Sequence, residues 1–260
     1  MKNFQKLTFS YNWNDFSELS KLHILDSEVT FQGKKLKFSD LIPKSSIKNI
    51  PNEALNYLCS ENIIINGGNS LKPLYAIQHS ILNSSNTSMN LDDFMDDVKN
   101  NKIVLISDMP KKGKTVLLEQ LYEKILNNSP NNWVSYFETQ IYNVLKLLLT
   151  VEKENDFITQ MCSHINPLEK FVLDQKLTKG QVKFFIDGVD DKPIENREFI
   201  KTFSKKFNCQ LFMTCRTHLE KDLKDIFHVE TFIVEPFSKE KRIELLNQYW
   251  KNREENIDSE

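Results

Sequence analysis

The sequence predicts an α/β fold built around a mostly parallel β-sheet. Two patterns carry that expectation. From residue 102 onward, short continuous apolar runs alternate with segments whose apolar residues recur every three or four positions. The polar residues with chemical potential fall just after the apolar runs, at the strand ends where open parallel sheets bind ligands. The chain has 260 residues, 40% hydrophobic and 27% charged. That is enough for a sizeable core, arranged as one large domain or two small ones.

The elements follow in order. Residues 1–22 mix aromatic and polar side chains without a period and read as a lead-in. Residues 28–38 place Val29 and Phe31 before Gly33, and Leu36 and Phe38 after it, which is a β-hairpin pattern. Pro51 opens a short helix carrying Leu55, Leu58 and Cys59. Asn62 to Asn66 reads as a strand closed by a turn at Gly67 and Gly68. Residues 83–90 are polar and small and read as a linker. Residues 1–88 are therefore expected to form a small α+β extension.

Beyond it, Asn90 is placed to cap a helix with Leu91, Phe94, Met95 and Val98 on one side. Lys102 to Ser107 is an apolar strand, and Lys114 to Asn127 a helix with Leu117, Leu118, Leu121, Ile125 and Leu126 aligned. Trp133 to Phe137 is a second strand. Residues 141–150 and 154–177 read as helices, the first with a stripe of Ile141, Val144, Leu145 and Leu148. Val182 to Asp187 is a third strand, 194–206 a helix, and Gln210 to Cys215 and Glu230 to Val234 the last two strands. Ser238 would cap a final helix whose Ile243, Leu246, Tyr249 and Trp250 are expected to pack on the sheet, or else to form a partner-binding face. Residues 89–236 make the expected core and 237–260 the start of a helical subdomain. Alternating strands and helices imply right-handed crossovers.

Composition narrows the function. Basic residues number 34 and acidic residues 36, for a net charge of −2, so neither a nucleic-acid coat nor a polybasic membrane anchor is expected. No apolar run approaches the roughly 18 residues of a spanning helix. The opening residues lack the apolar stretch of a signal peptide. Cys59, Cys162, Cys209 and Cys215 are scattered and read as reduced thiols of a cytoplasmic protein. His23, His79, His164, His218 and His228 show no metal-ligand spacing.

Three segments carry chemistry. Asp108, Met109, Pro110, Lys111, Lys112, Gly113, Lys114, Thr115 and Val116 join an apolar strand to an amphipathic helix, the setting of a phosphate-binding loop. Backbone N–H groups at the helix start attract phosphate, Gly113 admits close approach, Lys114 would reach the β- and γ-phosphates, and Thr115 would ligate Mg²⁺. Asp187 ends a buried strand, where an unpaired acid is costly, and would hold Mg²⁺ through water. Asp190 or Asp191 would orient the attacking water. Arg216, after the fourth strand, would sense the γ-phosphate.

The loop, the Asp187-Gly188-Val189-Asp190-Asp191 strand end, the Thr214-Cys215-Arg216 strand end and the following Pro236-Phe237-Ser238 together resemble the NACHT branch of the STAND P-loop ATPases. Ser107-Asp108-Met109-Pro110 before the Gly-Lys-Thr makes the chain most similar to arthropod NACHT proteins. The resemblance spans about residues 90–250 and 25–80 more loosely. It implies a three-layer P-loop NTPase sandwich of strand order 5-1-4-3-2. It also implies ATP or ADP with Mg²⁺, slow hydrolysis, a nucleotide-controlled switch in signalling or innate immunity, and a protein partner or self-association. By the same comparison the chain is expected to stop after the nucleotide-binding core. Asp108 and Lys111 stand where NACHT loops commonly carry Gly, so nucleotide binding is expected to be weakened rather than lost. The alternatives are a decayed, non-hydrolysing core acting as an adaptor, and a motor-type AAA+ ATPase.

Overall fold

The computed structural model describes residues 18–51, 54–55, 58, 64–65, 77–129, 131–137, 166–189 and 208–257. The expected helices at 141–150 and 194–206, the first part of that at 154–177, the Gly67–Gly68 turn, Cys59, Cys162, Asp190 and Asp191 lie outside these residues.

The described residues begin with α1 (Glu18–Asp26), so the expected lead-in of residues 1–22 is helical from Glu18. Strands β1 (Glu28–Phe31) and β2 (Lys34–Lys37) form the expected hairpin. Its two-residue turn has Gln32 at φ +50° and Gly33 at φ +77°, the positive pair that matches the twist of tight hairpins. A short helix, α2 (Phe38–Leu41), and a 3-10 segment (Lys44–Asn49) follow. Strand β3 (Ile64–Ile65) pairs parallel to β1 and completes a three-stranded sheet.

The main sheet has seven strands: β4 (Ile81–Leu82), β5 (Ser88–Met89), β6 (Ile103–Asp108), β7 (Trp133–Phe137), β8 (Val182–Val189), β9 (Cys209–Arg216) and β10 (Thr231–Val234). Their order across the sheet is β5-β4-β10-β6-β9-β8-β7. The five strands from β10 to β7 are parallel, and β4 and β5 add an antiparallel edge beyond β10. Residues 83–90, expected as a linker, thus form the turn and second strand of an edge hairpin. Asn83 builds the turn by accepting the Ser85 and Thr87 N–H groups on its side-chain oxygen.

Helices cover both faces. Along β6, Ile103 and Leu105 enter one core while Val104 and Ile106 enter the other, as strand alternation requires. The first core holds α5 (Pro167–Thr178), α6 (Thr217–Phe227) and the N-terminal residues Val29, Phe31, Phe38 and Leu41. The second holds α3 (Leu91–Asp97) and α4 (Lys114–Asn128). This is a mixed α/β architecture, a mostly parallel sheet flanked by helices.

Caps set the helix starts. Asn90 accepts from the Asp92 and Asp93 N–H groups, as its position suggests. Asn166 and Glu169 form a capping box before Pro167, so the described part of the expected 154–177 helix begins at Pro167. The last helix, α7 (Lys239–Ile257), differs from expectation in packing. Its Ile243, Leu246 and Trp250 are 50%, 56% and 54% exposed rather than set against the sheet.

Candidate functional site

Strand β6 delivers Asp108 to the carboxyl edge of the sheet, and six residues later α4 begins. Gly113 is the N-cap of α4 at φ +89°, a conformation glycine adopts freely. A Cβ there would lie 2.6 Å from His79 Nε2, so space as well as backbone angle requires glycine. Lys111 sits at φ +65°. A non-glycine residue in that region costs roughly 1–2 kcal/mol, and this is one of the two loop positions where the family resemblance expects glycine.

Within the loop, Lys114 Nζ donates to the Asp108 and Met109 carbonyl oxygens at 2.7 and 2.8 Å. The Asp108 carboxylate accepts the Met109 N–H at 2.6 Å. Partial burial lowers the Lys114 pKa, and the nearby Asp108, Cys215 and Asp187 oppose that shift.

The next strand positions complete the cluster. Strand β9 lies beside β6 with Arg216 in register with Asp108, and β8 lies beyond β9. Thr115 donates to Asp187 Oδ2 at 2.7 Å, and Thr214 donates to Asp187 Oδ1 at 2.6 Å. Thr214 Oγ1 in turn accepts the Gly188 N–H at 2.7 Å. Gly188 has φ +75°, in the stretch where the β8–β9 register shifts. Both carboxylate oxygens of Asp187 are therefore fixed by hydroxyls from two other elements. Arg216 is exposed at the N-cap of α6. Burial pushes the neighbouring Cys215 thiol up to about 11, which keeps it protonated and inert at neutral pH.

A cavity of about 550 Å³ opens beside the loop. Its walls include Ile77, His79, Lys111, Gly113, Phe237 and Arg242. Val116 also lines it, while Met109, Pro110, Lys111 and Lys112 are exposed. The 77–80 segment that forms one wall is pinned from two sides. Gln120 of α4 accepts the His79 N–H at 3.0 Å and donates to the Ile77 carbonyl at 2.7 Å. Lys241 of α7 donates to the Gln78 carbonyl and to Ser80 Oγ.

The structure therefore brings Asp108, Gly113, Lys114, Thr115, Asp187 and Arg216 to one edge, at the ends of three adjacent strands. Sequence reasoning missed Gln120, placed His79 only among histidines without ligand spacing, and met Phe237 only within the Pro236-Phe237-Ser238 of the family resemblance. Thr214 was visible in its strand, but the arginine two positions later drew the functional reading. Among the described residues, no group of three or more His, Cys, Asp or Glu could hold a metal by itself. A cation bound here would need ligand oxygens as well as Thr115 and Asp187, which is how Mg²⁺ is usually held beside phosphates. Among the described residues, no helix is long and apolar enough to cross a membrane. The chain matches no protein-family model and no curated protein.

Proposed function

We propose that this chain is a P-loop nucleotide-binding domain that takes ATP and ADP with Mg²⁺, hydrolyses ATP slowly, and acts as a cytoplasmic signalling switch of the NACHT kind. The observation that carries the reading is the 2.7 Å contact between the Thr115 hydroxyl at the start of α4 and the Asp187 carboxylate on β8. A hydroxyl at a helix N-terminus and an acid on a nearby strand are the two protein groups a phosphate-bound Mg²⁺ requires. The topology supports the same reading. Numbered from the strand before the loop, the five parallel strands run 5-1-4-3-2 across the sheet.

The residues fit the nucleotide by charge and by space. The N-terminus of α4 and the Lys114 ammonium would hold phosphate, with Lys114 exchanging the Asp108 and Met109 carbonyls for phosphate oxygens. Thr115 and Asp187 would hold the hydrated metal, and Arg216 would stabilise charge on the terminal phosphate. The bound Mg-nucleotide supplies the phosphoryl group and a Lewis acid. The cavity beside the loop offers apolar walls from Ile77, Pro236, Phe237 and Leu245 to a base. Asp190 or Asp191 would position water. A protein partner or self-association belongs to the same proposal.

A second reading, a non-hydrolysing adaptor, has its own support. The Asp108 carboxylate already takes a loop N–H, and Lys111 holds a strained backbone angle. A carboxylate about 6 Å from phosphate costs roughly 2–3 kcal/mol per charge at an effective dielectric of 20. Lys111 and Lys112 offset that cost in charge but not in geometry.

Calorimetry with Mg-ATP and Mg-ADP separates the two. The switch predicts binding that Lys114→Ala abolishes. A folded chain that binds neither nucleotide at millimolar concentration would leave the adaptor.

A further inference from the structure

Outside the Asp187 cluster, His79 is a buried polar side chain that touches both the loop and the residues before α7. It is 8% exposed, and its Nδ1 is buried with no hydrogen-bond partner. Its ring lies between Gly113 of the loop and Phe237 before α7, both of them walls of the same cavity. On one side, Nε2 packs over Gly113, close enough that a single added methyl would collide at 2.6 Å. On the other, the ring meets the Phe237 ring at 4.5 Å between centroids, tilted by 42°. Phe237 comes two residues before α7, and Ser238 between them caps that helix, its Oγ accepting the Lys241 N–H.

The ring borders the cavity on one edge, and the segment that carries it is held in place. Its backbone is fixed to α4 through Gln120, and its flanking residues Gln78 and Ser80 are tied to Lys241 of α7. The Ser80 carbonyl also accepts the Glu235 N–H at 2.9 Å. With its backbone held, the ring passes a shift of Gly113 to Phe237 through its two direct contacts. Lys114 must leave the Asp108 and Met109 carbonyls to meet a phosphate, and Gly113 is the next residue to it.

We infer that His79 is a positioning residue that links the phosphate loop to α7, so that phosphate on the loop is felt at Phe237 and at the start of that helix. The inference rests on the loop binding phosphate, as proposed above. It goes further in assigning the route by which the loop's state leaves the site, through a side chain that belongs to no phosphate-binding motif.

The test uses the full chain and Mg-tripolyphosphate, which reaches the loop and carries no base to fill the cavity. Calorimetry measures binding, and hydrogen exchange measures residues 239–251. In the wild-type chain, ligand should change exchange at the start of α7 by about threefold or more. In His79→Ala, binding should stay within about tenfold of wild type while the α7 change disappears. Should His79→Ala fail to fold, Phe237→Leu cuts the same link at its other end and should give the same loss. An α7 change that survives in the variant would overturn the link, as would wild-type binding with no α7 change. Loss of tripolyphosphate binding in a folded His79→Ala chain would overturn it too, making His79 part of the binding loop. Absence of binding to the wild-type chain would instead remove the phosphate-loop reading on which the link depends.

Discussion

Lys176 is the clearest case of one side chain working against the fold. It is 1% exposed, and its ammonium lies 5.9 Å from the centre of the Phe31 ring. Burial brings its pKa down from 10.5 to about 8. At pH 7 the folded chain therefore holds a buried cation. Between pH 8 and 10.5 the unfolded chain keeps that proton while the folded chain has released it, so stability rises with pH across the window. The gap corresponds to about 3 kcal/mol. Lys176→Met should stabilise the protein at pH 7 by about 1–3 kcal/mol and remove this part of the rise. Urea unfolding at pH 7, 9 and 10.5 measures both effects, and equal pH slopes in the two proteins would contradict the account. Nothing in the sequence around Lys176 marks it as buried, because a lysine on an amphipathic helix ordinarily sits at the solvent edge. Lys111 is the opposite case. Its departure from glycine is legible in the loop pattern, and the backbone there does adopt φ +65°.

Helix α4 does more than bury an apolar stripe. Its Leu117, Leu118, Leu121 and Ile125 enter the core as their spacing implies, yet Gln120 among them is also buried, at 9% exposure. Gln120 holds the 77–80 segment through one donated and one accepted bond. Replacing it with leucine leaves the His79 N–H and the Ile77 carbonyl inside without partners. An unsatisfied buried group costs about 1–3 kcal/mol. Gln120→Leu should therefore destabilise the chain by at least that much despite adding apolar surface, as a denaturant titration would measure. Unchanged or higher stability would mean that the two bonds contribute nothing. The buried glutamine was invisible in a helix read by its leucines. The β4–β5 hairpin was missed for a related reason. Each strand has two residues, too few for alternation to register, and the intervening Ser and Asn read equally well as a linker. Long apolar strands such as β6 and β9 were legible because both faces are covered, which leaves no polar alternation to confuse them.

Across the chain, the parallel sheet explains why distant residues meet. Every parallel strand presents its carboxyl end to the same edge, so Asp108, Asp187 and Arg216 gather there once β6, β9 and β8 are adjacent. Strand neighbours cannot be read from periodicity, and here they came from the family resemblance rather than from the residues. The same sheet separates two cores but also joins them, since β6 contributes Ile103 and Leu105 to one and Val104 and Ile106 to the other. The N-terminal hairpin is tied in as well. Phe31 meets Trp133 at 6.0 Å, and Gln32 donates to the Val134 carbonyl. Lys34 donates to the Leu126 and Asn127 carbonyls at the end of α4, where a cation is favoured. Losing either core exposes the shared strands, so the sheet and the hairpin should unfold in one transition. Ligand held at the sheet edge should then stabilise all of it. At a hundredfold excess over the dissociation constant, Mg-ATP bound as proposed would add about 2.7 kcal/mol, which for a chain of this size would raise the melting temperature by roughly 5–10 °C. Calorimetric melting of the wild-type chain should show one peak that moves as a whole, and Lys114→Ala should keep the peak and lose the movement. Two peaks of which Mg-ATP moves one would show that the hairpin contacts are too weak to couple the N-terminal residues to the sheet. A shift that persists in Lys114→Ala would place the nucleotide somewhere other than the loop.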